Sequence, residues 1–242
     1  MNRHLFVSLT LLVLFTGLVM ASGKVVMVGS GAPDPKDTLL IEYLEKWGFT
    51  VEPHAADLAK HPVKFDGVDL VFISESTSSA NLLGAYTDST VPVVNAETWT
   101  YDDMGFAPDG TFSDVAGDTL KIAKKDNPIT KGFPDKVKVY NPSIILMTCN
   151  GLQGDVEILA LHAAQEDFVA ISVYEEGAKT MKGKTKTRHV NIWPHSTGWS
   201  NITKDGWTLI ERSVLYALGR MAVEGEGKLA VTWGDIKIER NR

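Results

Sequence analysis

Two apolar runs, "VDLVFISEST" (residues 68–77) and "VPVVNAETW" (residues 91–99), decide how this chain folds. Each is continuously apolar for about four residues and then turns abruptly polar, at Ser74 in the first and Asn95 in the second. A strand with one solvated face alternates apolar and polar residues, whereas a continuous run is the mark of a strand buried on both faces. Working outward, "KVVMVGSG" (24–31) is a third such run and "TVEPHAAD" (50–57) a further strand. Between them "KDTLLIEYLEKWGF" (36–49) spaces Leu39, Leu40, Tyr43, Leu44 and Trp47 as one helical face, with Gly48 as its stop. "SSANLLGAYTD" (78–88) is expected to form a short helix. This order argues for an α/β fold with a mostly parallel sheet covered on both faces.

From Tyr101 the pattern changes to short strands punctuated by Gly, Pro and Asp, read as antiparallel hairpin additions. "TRHVNIWP" (187–194) returns to a buried strand, and "TKDGWTLIERSVLYALGRMA" (203–222) is a closing helix. Thr203 is its expected N-cap, and Trp207, Ile210, Val214, Leu215 and Leu218 form its apolar stripe. Within a C-terminal tail over 221–242, "VEGEGKLAVTWGDIKIERNR" (223–242) reads as a Gly-rich spacer and one strand-like segment, expected either to pack as an extra strand or to join a partner's sheet edge.

The N-terminus has the layout of a secretory signal peptide: Arg3, an apolar stretch from Leu5 to Met20, then Ala21, Ser22 and Gly23. The expected organisation is a signal peptide over 1–22, an α/β domain over 23–220 and the tail. The mature chain is expected to be secreted or periplasmic, with no stable membrane anchor after cleavage. A chain of 242 residues, 44% hydrophobic and 22% charged, can bury a good core. Its net charge is −6, and its one basic run, "KGKTKTRH" (182–189), reads as a solvated hairpin, so nucleic acid is not an expected partner.

Several chemistries lack their signature. The loop Gly29-Ser30-Gly31 is followed by Ala32, Pro33 and Asp34 and so misses the third glycine of a dinucleotide fingerprint. There is no nucleophile elbow, no zinc-protease motif and no Cys/His metal pattern, and neither a cofactor nor a metal is expected. The single cysteine, Cys149, follows an apolar run and reads as a small buried hydrophobe. His162 reads as a hydrogen-bonded packing residue, while His54 and His61 read as exposed.

The strand runs 68–77 and 91–99 resemble the central strands of the class I glutamine amidotransferase-like superfamily. "RHVNIWPHSTGW" with "DGWTLIERSVLYALG" resembles the closing strand, histidine loop and last helix of its trehalose-utilisation (ThuA-like) branch. The resemblance covers residues 24–220 and implies a flavodoxin-like, doubly wound sheet. It also implies a nucleophilic cysteine on the turn after the strand at 91–94, and there this chain has Asn95-Ala96-Glu97. The family's histidine falls at His195, but the acid due two residues later is Thr197. Glutamine hydrolysis through a thioester is therefore not expected.

Ligands of doubly wound sheets bind beyond the carboxyl ends of the strands. Ser74, Glu75, Ser76, Glu97, Trp99 and His195 are the ligand-binding candidates on that edge; no catalytic residue is assigned. Glu97 could accept bonds from sugar hydroxyls, act as a base if burial raises its pKa, or bond backbone amides and hydroxyls such as Ser76, the last being the leading expectation. Three functions stay open: a non-catalytic module binding a small carbohydrate-like ligand, a hydrolase or isomerase of a sugar-like substrate using Glu97 and His195, and a structural subunit docking on a protein partner through its C-terminal tail.

Overall fold

The computed structural model describes residues 23–30, 35–57 and 64–221. The expected signal peptide, the tail beyond residue 221 and His61 lie outside the described residues.

The chain begins with β1 (Gly23–Gly29), α1 (Thr38–Lys46), β2 (Phe49–Ala55), β3 (Leu70–Ile73) and β4 (Val93–Asn95). Then come β5 (Phe112–Gly117), β6 (Thr119–Ile122), β7 (Lys136–Lys138), β8 (Ile144–Cys149), β9 (Glu157–His162) and β10 (Gln165–Tyr174). A two-stranded hairpin, β11 (Lys179–Thr180) and β12 (Gly183–Lys184), precedes β13 (His189–Asn191) and the closing helix α2 (Lys204–Ala217).

Among the described residues the main sheet has eleven strands. Its parallel half runs in the order β2-β1-β3-β4-β13, and beyond β13 it continues through β10 into the antiparallel strands. The expected parallel α/β sheet with antiparallel additions is present, the additions being six strands rather than a fringe. Because β4 and β13 are parallel neighbours, with Val93 opposite His189 and Asn95 opposite Asn191, the loops that follow them emerge side by side.

The continuous apolar runs are buried on both faces. Val25 and Met27 of β1, Leu70 and Phe72 of β3 and Val94 of β4 face α1 and α2, meeting Leu40, Leu44, Leu209, Ile210 and Val214. Tyr43 of α1 stacks flat on Trp207 of α2, with ring centroids 3.7 Å apart. Val26, Val28, Val71, Ile73 and Val93 face the other layer, built from Leu82, Tyr86, Tyr101, Met104 and Phe106.

That second layer corrects one expectation. Residues 78–88 form no α-helix: a single 3-10 turn, Ser79–Asn81, is followed by further turns. Leu83, at φ +41°, leaves the helical region, and just beyond the segment Ser89 Oγ donates to the Val91 carbonyl at 2.5 Å. Gly84, at φ +70°, lets the chain pass the Asp103 carbonyl, which a Cβ would approach to 2.8 Å.

α2 starts as expected. Thr203 Oγ1 accepts from the Gly206 amide at 3.1 Å and donates to the Lys138 carbonyl at 2.7 Å, pinning the helix to β7.

Candidate functional site

Four strands of the parallel half, β1, β3, β4 and β13, deliver polar residues to one edge. After β4, Asn95 organises the turn by accepting the Glu97 amide at 2.9 Å and donating to Thr100 Oγ1 at 2.9 Å. Thr100 Oγ1 in turn donates to the Glu97 carbonyl at 2.7 Å. This lashing opens the 3-10 turn Thr98–Thr100 and holds Glu97 at its N-terminal end.

Glu97 is buried, at 3% exposure. Among the described residues its carboxyl accepts one hydrogen bond, from the Trp99 amide at 2.9 Å. The expected bond from Ser76 is not made, and the expectation of several donors is overturned. Burial is the main reason its pKa is pushed up, to about 8; the Trp99 amide opposes the rise, while Glu75 and Asp114 add to it. Burial thus favours the protonated form of Glu97 at neutral pH.

After β13, His195 stands at the head of the 3-10 segment Ser196–Asn201. Its Nδ1 accepts from the Thr197 amide at 3.2 Å and lies 2.8 Å from Thr197 Oγ1. A backbone N–H can only donate, so the neutral ring keeps its proton on Nε2, which points to Glu75 Oε1 at 3.5 Å. Glu75 Oε2 accepts from the Ser196 amide at 2.6 Å. Glu75, just beyond the end of β3, is thus the acid beside His195, and Thr197 orients the ring from its other nitrogen. Tyr140 Oη accepts from the His195 amide at 3.0 Å and closes this side of the crevice.

The six candidates divide. Glu75 and His195 pair directly, and Glu97 lies close enough to Glu75 to feel its charge. Trp99 is 44% exposed, its ring edge-on to Phe112 at 4.6 Å, and offers an apolar face beside Glu97. Ser74 and Ser76 turn away: Ser74 Oγ donates to Asp37 Oδ1 at 2.5 Å and Ser76 Oγ to Asp37 Oδ2. Sequence reasoning missed Asp37, Tyr140 and Thr197. Asp37 reads as an ordinary helix start in "PDPKD", and only the fold brings Tyr140 to His195.

Other residues behave as structural groups. Cys149 is fully buried and burial pushes its thiol up, so it supplies no ready thiolate. His162 Nε2 lies 3.1 Å from the Ala116 carbonyl, and its Nδ1 accepts from the Ala164 and Gln165 amides. His54 is half-buried and pairs with Glu52 at 2.7 Å. A cavity of about 130 Å³ lined by Thr87, Asp88, Phe106, Lys182 and Lys184 lies toward the opposite, amino end of the parallel strands. Among the described residues no group of acidic, His and Cys side chains is arranged to hold a metal, and no helix is long and apolar enough to cross a membrane.

No protein-family model and no curated protein matches the sequence. Solved structures do match in three dimensions. A ThuA-like protein of Bacteroides uniformis is 13% identical with a TM-score of 0.52, over 81% of this chain and 91% of that one. A GMP synthase subunit of Thermoplasma acidophilum is 13% identical with a TM-score of 0.49, over 81% and 94%. A glutamine amidotransferase of Thermotoga maritima is 9% identical with a TM-score of 0.45, over 91% and 86%. The chain thus shares its α/β fold with the ThuA-like protein, and its turn after β4 reads Asn95-Ala96-Glu97.

Proposed function

We propose that this domain is an exported ligand-binding module whose strand-end crevice takes a neutral, polyhydroxylated, carbohydrate-like ligand. The observation that carries the reading is the buried Glu97 carboxyl, with a single amide donor, set between the acidic Glu75 and the exposed Trp99 ring. A protonated carboxyl both donates and accepts, an ionised carboxylate accepts, and an indole face packs on the apolar face of a sugar ring. Acidic neighbours disfavour an anionic ligand. A second reading, hydrolysis or isomerisation of the same class of compound, is favoured by the same proton, since Glu97 could give it up as a general acid beside the Glu75–His195 pair.

Titration of the full chain with neutral mono- and disaccharides and with sugar phosphates, followed by the indole NMR signals, tests the binding. Neutral sugars should move the Trp99 signal, and Trp99→Ala should weaken binding about tenfold or more, as loss of an aromatic contact does. Tighter binding of sugar phosphates, or binding indifferent to Trp99→Ala, would refute the assignment. Product analysis of the same mixtures separates catalysis from binding. N-terminal sequencing after expression in a secreting host should show a mature chain starting at Ser22, Gly23 or Lys24.

A further inference from the structure

Asp37 stands at the N-cap of α1, yet its side chain accepts no bond from the helix it precedes. An aspartate in this position ordinarily caps its own helix. This one is fully buried and turned toward the sheet, accepting Ser74 Oγ on Oδ1 at 2.5 Å and Ser76 Oγ on Oδ2. A buried carboxylate is costly unless well bonded, so it makes a stringent, directional demand on the two hydroxyls.

The surroundings are shaped to admit it. A Cβ on Gly29 would collide with Asp37 Oδ2 and come within 2.9 Å of Ser76 Oγ, so the end of β1 has to be bare. Ser76 Oγ also accepts the Ser30 amide at 3.2 Å, and Ser74 Oγ the Ser76 amide at 3.3 Å.

Ser74 and Ser76 are thus drawn to the same side. The residue between them is Glu75, in a turn that the Thr77 amide closes onto the Ser74 carbonyl at 3.2 Å, and with both flanking hydroxyls held by Asp37 its carboxylate meets the Ser196 amide and His195 Nε2.

We infer that Asp37 is a positioning residue of the crevice: through Ser74 and Ser76 it fixes the backbone that aims Glu75 at His195. Its importance for binding rests on the crevice reading above, but the clamp itself can be tested without any ligand.

The test is imidazole nitrogen NMR on the full chain, comparing wild type, Asp37→Asn, Glu75→Gln and the double variant. Asp37→Asn should shift the His195 ring nitrogens in the same direction as Glu75→Gln and by at least half as much. In the Glu75→Gln background it should add nothing, because the two changes act through one contact. The His162 ring, held by Ala116 away from this edge, reports whether the fold is intact. An unchanged His195 signal beside an intact His162 signal would overturn the inference. Should Asp37→Asn lose the His162 signal as well, Ser76→Ala carries the test: a smaller shift of the same sign supports the clamp and no shift refutes it. Saccharide binding that survives a shifted His195 would count against the crevice reading and leave the clamp standing.

Discussion

Glu97 and His189 are buried titratable groups whose shifts run in opposite directions. For Glu97 the folded value is about 8 against 4.5 for a free side chain, so between these values the folded state holds a proton that the unfolded state has lost. Its contribution to stability is complete below pH 4.5 and disappears as pH rises toward 8. Glu97→Gln copies the protonated form and still accepts the Trp99 amide. In urea unfolding it should flatten the decline between pH 5 and 8 and gain on the order of 2–4 kcal/mol over wild type at pH 8.5. A loss of stability at that pH would show that the native site prefers a charged Glu97. His189 is fully buried, lies edge-on to Phe106 at 5.2 Å, and has no hydrogen-bond partner on either ring nitrogen among the described residues. Burial lowers its pKa to about 4 from 6.5. Its contribution is therefore complete above pH 6.5 and is lost as pH falls toward 4, by on the order of 3 kcal/mol. His189→Leu should remove that acid-side slope without lowering stability at pH 7, since replacing an unpartnered polar ring by an apolar group is nearly neutral or stabilising. Melting curves at pH 5 and pH 7 decide it. The sequence shows that Glu97 ends a buried strand, but not how many donors reach it, because those come from the exact path of a turn.

Helix α2 is where local sequence and tertiary packing agree most closely. Its cap, its start and its apolar stripe can all be read from "TKDGWTLIERSVLYALG", and the cap proves to serve twice, closing the helix and gripping the Lys138 carbonyl. Thr203→Ala should cost about 1–2 kcal/mol in chemical denaturation, with Thr203→Ser recovering most of it. Trp207, between Tyr43 and Trp199, joins α2 to α1; Trp207→Ala should cost about 3–5 kcal/mol by the same measurement. The covering of the opposite face was less legible. "SSANLLGAYTD" offers a few apolar residues at helical spacing, but Leu83 and Gly84 take positive φ, which a right-handed helix does not admit, and turns are what form. The partner of His195 was illegible for a different reason. Nothing near His195 in the sequence names its partner, because Glu75 arrives from the end of β3, 121 residues before the Ser196 amide it accepts.

At the scale of the molecule, five parallel strands carry the polar crevice at their carboxyl ends, and the antiparallel strands beyond β13 widen the sheet. The parallel character of this half was legible because each central strand is buried on both faces and therefore continuously apolar. The size of the antiparallel extension was not, since short strands broken by Gly and Pro carry pairing information only through partners far along the chain. Cys149, buried where β8 meets β5 and β10, should react with an alkylating reagent only as fast as the domain opens, and Cys149→Ser should leave saccharide binding unchanged. The character of the crevice turns on a single proton, the one on Glu97. A carboxyl ¹³C NMR titration of the full chain observes that proton directly. The expected inflection for Glu97 is near pH 8, moving lower in Glu75→Gln because a negative neighbour is gone. An inflection in the ordinary range of about 4–5, with Glu97 fully ionised by pH 6, would contradict the account.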